Sequence, residues 1–252
     1  MSDNWMHFFP ADPLQPKPDW PRLRGELLDC GLILEPRGAD IPAETVVSLW
    51  QRIVGVIGLP QSGPRRAASL DDLVGLLCSA ELPVDRWTLD TDRLTIPEFV
   101  AALRGCSVLP ADFVFSEEER YQPGALFEGL CDVPHSRYGW NDTYLYPQDF
   151  GDRIGIEVGG DMLIPPGIPG SDRVVDDWGA FLESWLEDPN QRWIDPETGK
   201  AYGLLDLDWE NSFGAGRFML SVFSPGYLNG ERAAGLLGEL AGQPFRYSRQ
   251  HI

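Results

Sequence analysis

The sequence predicts an α+β protein: a mainly antiparallel sheet with helices packed on one side, and a helix-richer N-terminal half. Three observations lead there. Up to about residue 110 the apolar residues recur at helical spacing, as in Val46, Leu49, Trp50, Ile53, Val54 and Ile57. From Ala111 onward, short turn-bounded runs with strand character take over. No regular strand–helix alternation, the mark of a parallel sheet, runs through the chain.

Each element follows from local chemistry. Trp5–Phe9 is an aromatic strand stopped by Pro10, and Pro13–Pro18 is a loop. Asp19 caps a helix over Trp20–Cys30, with Pro21 in the first turn where a missing N–H costs nothing. Gly31 ends it, and Leu32–Glu35 returns as a short strand. Asp40 and Pro42 start the next helix. Ser69 and Asp72 form a capping box before Leu70, Leu73, Val74 and Leu77. Trp87–Leu89 is a short strand and Pro97–Cys106 a fourth helix.

In the second half the expected strands are Asp112–Ser116, Thr143–Tyr146, Arg153–Val158 and Met162–Ile164, with a tight turn at Gly159-Gly160-Asp161. Val174–Glu187 is the clearest helix, with Trp178, Phe181, Leu182, Trp185 and Leu186 on one stripe. A hairpin of Arg192–Ile194 and Ala201–Leu207 turns at Asp195–Gly199, and Arg217–Phe223 is another strand. Asn229 caps a helix over Glu231–Leu240, and Pro244–Ser248 closes the chain as a strand. The first and last 35 residues share one plan: aromatic strand, loop, Asp- or Asn-capped helix, short strand. The domain expectation is a helix-rich region over 1–110 and a strand-rich region over 111–252, or one continuous domain.

Charge bounds the function. The chain carries 39 Asp and Glu against 20 Lys and Arg, a net charge of -19 spread through segments that read as folded. A field of that sign repels nucleic acid and anionic membrane and attracts basic proteins. No 18-residue apolar run is present, so no membrane span is expected. The first 18 residues have neither a basic nor an apolar signal-peptide region. The four cysteines form no CxxC pair, and Cys30, Cys78 and Cys106 fall within or at the end of helical apolar patterns; they read as reduced core thiols of a cytoplasmic protein.

Motifs for chemistry are weak. Asp206, Asp208 and Glu210 alternate with Leu205, Leu207 and Trp209, so a strand there would put three carboxylates on one face. Hard cations need such oxygens, and a divalent-metal hydrolase or phosphotransfer enzyme is the alternative reading, with His135 as a possible base. The plainer reading is the wet face of an amphipathic strand. Asp90–Glu98 fails calcium-loop spacing, since positions 6 and 12 would be Thr95 and Ala101. Gly55–Gly63 lacks a phosphate loop's Gly-Lys-Ser/Thr ending and follows a helix. Cys131 and His135 lie four apart with no second pair at ligand spacing, and His7 and His251 are near the termini.

Charge without a catalytic motif favours a non-enzymatic protein that binds a basic protein partner, most concretely an immunity- or antitoxin-like inhibitor, with no cofactor. The expected docking residues are Asp176, Asp177, Glu187, Asp195, Glu197, Asp206, Asp208 and Glu210, with Trp140 and Trp193 as exposed aromatic anchors.

Overall fold

The computed structural model describes residues 4–59, 69–84, 89–115, 120–133, 143–158 and 164–251. It is an α+β fold of two compact units, Met1–Leu34 with Arg120–Ile252, and Glu35–Glu119. The parting lies elsewhere than at residue 110. The aromatic run near the N-terminus forms a strand whose hydrogen-bond partners come from the last 35 residues, so it belongs with the second half of the chain.

The larger unit is built on strand β1 (Asn4–Pro10), which has a neighbour on each side. With β4 (Tyr144–Asp149), β9 (Phe218–Phe223) and β10 (Phe245–His251) it forms an antiparallel sheet in the order β10-β1-β9-β4. The register sets Phe8 opposite Leu220 and Tyr247, and His7 opposite Ser221 and Ser248. The pleat therefore turns Met6 and Phe8 to one face and Trp5, His7 and Phe9 to the other.

On the Met6–Phe8 face lie helices α1 (Trp20–Asp29) and α7 (Gly230–Ala241), whose Leu23, Leu27, Ala233 and Leu237 share its core. Asp19 and Asn229 cap these two helices by accepting hydrogen bonds from the amides of Arg22 and Arg232. The similar plans of the two chain ends thus meet in space, as paired strands under two helices on one face.

The opposite face is covered by the small sheet β5 (Gly155–Val158) with β8 (Phe213–Gly216), and by helix α6 (Trp178–Glu187). Helix α6 starts later than the apolar stripe suggests. Val174 forms a bridge to Gly167, and the Val175 amide donates to the Pro166 carbonyl, so those residues are extended. The hairpin β6 (Trp193–Ile194) with β7 (Ala201–Tyr202) is real but short. After it the chain turns through a 3₁₀ segment, Leu204–Asp206, instead of continuing as a strand.

The smaller unit leaves the larger one after β2 (Ile33–Leu34) and returns before β3 (Gln122–Pro123), two strands that pair with each other. Its helices are α2 (Ala43–Ile57), α3 (Leu70–Ser79) and α4 (Ile96–Gly105), packed through Leu49, Ile53, Leu73, Leu77, Phe99 and Leu103. Both bonds of the Ser69–Asp72 capping box form, and Thr95 with Glu98 makes a second box at α4. Gly38 sits at φ +53° with the Asp92 carbonyl oxygen 2.3 Å from where a Cβ would stand, so only glycine fits. After Pro123 comes the short helix α5 (Ala125–Gly129).

Three expected strands fare differently. Asp112–Phe115 is not a strand, and Ser116 lies outside the described residues. Most of Trp87–Leu89 and of Met162–Ile164, and the Gly159-Gly160-Asp161 turn, also lie outside them. Among the described residues no helix is long and apolar enough to cross a membrane. Of the four free thiols only Cys131 is buried; Cys30 is exposed, so it is not a core thiol.

Candidate functional site

The acidic residues expected to face a partner lie in the larger unit, and the fold sorts them. Asp176, Asp177, Glu187, Glu197, Asp206, Asp208 and Glu210 are exposed. Asp195 is not: it is 1 % exposed. Its carboxylate accepts both arms of the Arg173 guanidinium (3.0 and 2.6 Å), the Thr198 hydroxyl (2.6 Å) and the Glu197 amide (3.0 Å). The guanidinium first, then the hydroxyl and amide, hold its pKa far below the usual carboxylate range. Asp195 braces the β6–β7 turn and meets no partner.

Trp193 is likewise no anchor. It is 9 % exposed, packs with Trp185 and Tyr202, and donates its indole N–H to Asp177 at 2.8 Å. The alternation along β6 is the cause: Trp193 and Asp195 point inward, and Ile194 between them points out. Trp140 and His135 lie outside the described residues.

The acidic run after the hairpin keeps the expected alternation without being a strand. Leu205, Leu207 and Trp209 are buried while Asp206, Asp208 and Glu210 are exposed. The carboxylates are engaged locally. Asp206 accepts from the Gly203 amide (2.8 Å) and Asp208 from the Glu210 amide (3.0 Å). Glu210 and Asn211 then take left-handed backbone angles, φ 50° and 59°, which turn the chain. Among the described residues no three His, Cys, Asp or Glu side chains are placed to share a metal ion.

A concave site adjoins this run. A cleft of about 430 Å³ opens between Leu205–Phe213, helix α7 and strand β10. Its floor is the apolar set Phe9, Leu207, Trp209, Phe213 and Phe245, all buried. Trp209 and Phe213 stack at 4.6 Å, and the Trp209 indole donates to the Leu204 carbonyl at 2.7 Å. The rim carries Asp208, Asn211, Glu231 and Arg246, all exposed. The Arg246 guanidinium donates to the Leu205 carbonyl. The cleft is thus a hollow with a buried apolar floor, and of the two expected tryptophan anchors Trp193 is buried.

A second constellation surrounds His7, which is near the N-terminus in the chain but deep in the fold. Its ring is 2 % exposed in the sheet interior. Nδ1 lies 2.8 Å from the Ser221 Oγ and Nε2 lies 3.3 Å from the Gln250 amide and 3.9 Å from a Glu157 oxygen. Ser221 donates to Gln148 Oε1 (2.6 Å), and Gln148 donates to Glu157 (3.5 Å). A carboxylate only accepts, so Gln148 turns its NH₂ to Glu157 and its oxygen to Ser221. The single Ser221 hydrogen is then committed to Gln148, so its Oγ is left to accept from Nδ1, while Nε2 faces the Gln250 Oε1, an acceptor. Burial is the largest influence on His7 and lowers its pKa, against the opposing pull of Glu157 and Gln250.

Hydroxyl, imidazole and carboxylate in this order resemble the parts of a nucleophilic triad. Their placement rules that use out. Ser221 is fully buried, its hydrogen goes to Gln148, and the cleft is not lined by it. The ring of polar groups instead ties β1, β4, β5, β9 and β10 together. Trp5, Tyr146 and Phe223 pack beside it, with centroids 5.6 and 4.7 Å from the tryptophan.

Only the pattern of buried polar residues within hydrophobic strands, His7 in Met6–Phe9 and Ser221 in Phe218–Phe223, marks this cluster in the sequence. No protein-family model matches the chain, and neither does any curated protein or solved structure.

Proposed function

We propose that the chain is a non-catalytic protein that docks a basic protein partner on its acidic face, most concretely as an immunity- or antitoxin-like inhibitor acting in the cytoplasm. The observation that carries this reading is the cleft beside Asp208. An apolar floor lies within a rim bearing Asp208 and Glu231, with Asp206 and Glu210 flanking Asp208 in the chain. A carboxylate rim raises the encounter rate with a cationic protein and rejects anionic ones, while a desolvated apolar floor supplies affinity. Over Ser171–Glu210 the cations are Arg173, Arg192 and Lys200. Arg173 is paired with Asp195 and Glu197, and Lys200 lies over the Tyr202 ring at 4.6 Å. The residual field there is negative.

The test is capture of partners from the native host's lysate by the full chain, washed at low and then high salt and read by mass spectrometry. One stoichiometric basic partner, released by salt, is expected. Reversal of Asp206, Asp208 and Glu210 to Lys should abolish the capture while far-UV circular dichroism stays unchanged. Capture that survives the reversal would reject this face as the docking site.

The divalent-metal reading has less to stand on, since Asp206 and Asp208 hold turn amides. It predicts a higher melting temperature in millimolar Mg²⁺, Mn²⁺ or Ca²⁺.

A further inference from the structure

We propose that the cleft is a slot for an added β-strand, filled by an extended basic segment of the partner. The proposal rests on the docking reading above and concerns how the partner binds.

Strand β10 is an edge of the four-stranded sheet. Its peptide groups alternate in direction. The Pro244 carbonyl accepts from the Ala11 amide, which points residues 244, 246, 248 and 250 toward β1. The Arg249 amide donates outward to the Asn211 carbonyl, so 245, 247 and 249 point away from β1. Asn211 thus caps the edge at Arg249. Among the described residues the outward N–H and C=O of Tyr247 and the C=O of Phe245 have no backbone partner.

An unpaired edge of this kind is a template for another strand. Native sheets commonly cover or charge such edges, and here the covering stops short. Two layers flank the gap without filling it: α7 through Glu231, Ala234 and Gly235 on one side, and Leu205, Leu207 and Asp208 on the other. The helix supplies small residues where the space is needed; a Cβ built on Gly235 would meet no atom within 4 Å.

Charge selects the occupant. Each flanking layer carries one exposed carboxylate, Glu231 or Asp208. Side chains of an added strand alternate between the two layers, so a segment with basic residues at neighbouring positions meets a carboxylate on either side. The nearby guanidinium groups keep their charge but are directed to backbone carbonyls and form no ion pair with Asp208 or Glu231 among the described residues. Arg246 donates to the Leu205 carbonyl, and Arg249 donates to the Leu228 carbonyl at 3.2 Å. Main-chain bonds to Tyr247 would supply affinity, and the carboxylates would choose a basic sequence.

The test uses ¹⁵N-labelled full chain and three acetylated, amidated hexapeptides: an Arg–Val peptide with two adjacent central arginines between valines, the same with Glu for Arg, and the Arg form with Pro for a Val next to the arginines. The Arg–Val peptide is expected to slow hydrogen exchange of the Tyr247 amide tenfold or more at saturation. The Glu and Pro forms should bind at least tenfold more weakly. Gly235→Leu should fill the slot and weaken Arg–Val binding tenfold or more without lowering the melting temperature, its Cβ having open space.

Binding without protection of Tyr247, equal binding of the Pro peptide, undiminished binding to Gly235→Leu, or no binding would each overturn the proposal. Protection that grows with protein concentration in the absence of peptide would assign the edge to a second copy, and also overturns it. If charge reversal of Asp206, Asp208 and Glu210 abolishes partner capture while Tyr247 stays unprotected by peptide, docking on the acidic face stands and strand addition alone falls.

Discussion

His7 and Ser221 stand directly opposite each other on β1 and β9, 214 residues apart in the chain, with Nδ1 2.8 Å from Oγ. On the other side of His7, Ser248 of β10 occupies the matching position, but its buried Oγ has no partner among the described residues. Two serines flank one imidazole, and only one is bonded. Removing a bonded hydroxyl strands its partner, whereas removing an unbonded one relieves a desolvated group. Ser221→Ala should therefore cost about 1–3 kcal/mol, leaving the Nδ1–H of His7 unsatisfied. Ser248→Ala should be neutral or stabilise by up to about 1 kcal/mol. Urea unfolding of both variants at pH 7 gives the two signs.

The same imidazole makes stability depend on pH. Its folded pKa lies below the ordinary 6.5 because burial disfavours the cation. Between those two values the unfolded chain binds the extra proton, so stability rises with pH there. The contribution is full above about pH 6.5 and is lost as pH falls toward the folded value. His7→Asn keeps a donor toward Ser221 and cannot titrate. The stability difference between wild type and His7→Asn should shrink from pH 7 to pH 5 as the wild type loses its advantage. A difference constant over that range would mean that His7 does not titrate this way.

Much of this fold could be read from short-range chemistry. The helices came from apolar periodicity with a cap residue, and Asp19, Ser69 and Asn229 all make the expected cap bonds. The losses lie where long-range pairing decides. Nothing local says that Trp5–Phe9 joins the last strand, so the division of the chain near residue 110 missed the shared sheet. Val174 and Val175 fit the helical stripe, yet bridging to Pro166 and Gly167 holds them extended. At the site, alternation placed Asp206, Asp208 and Glu210 outward, as observed. The same alternation buried Trp193 and Asp195, which side-chain type alone had suggested for the surface. A cleft formed by α7, β10 and Leu205–Phe213 over Phe9 of β1 joins residues from both ends of the chain and has no sequence signature.

The thiols should react in an order set by burial. Cys131 is buried beside Glu128 and Asp132, and desolvation first, then those charges, pushes its pKa up to about 11. Only the thiolate reacts, so at pH 8 Cys131 is almost wholly protonated. Cys30 is exposed at the end of α1. Alkylation by iodoacetamide at pH 8, followed by peptide mass spectrometry, should label Cys30 first and Cys131 last. In denaturant the four should label at similar rates.

The buried Asp195 gives a test with the same pH sign as His7 but in a more acidic window. Its pKa is depressed below the ordinary 3.8, chiefly by the Arg173 guanidinium and then by the Thr198 hydroxyl. A depressed carboxylate contributes its full stability above the unfolded pKa and loses it as pH falls through that value toward the folded one. Asp195→Asn keeps the shape and the oxygen that can accept from Thr198 or Glu197, but leaves Arg173 with only Glu197, at 3.2 Å, for a charged partner. The variant should melt lower than wild type at pH 7 by a margin that holds down to about pH 5. Below about pH 4 the wild type takes up the proton on unfolding and the margin should close. Arg173→Gln should show the same closing margin, because it removes the other half of the pair. Melting curves at pH 7, 5 and 3 decide this. A margin unchanged at pH 3 in both variants would mean that Asp195 braces the β6–β7 turn through shape and neutral hydrogen bonds, and not through its charge.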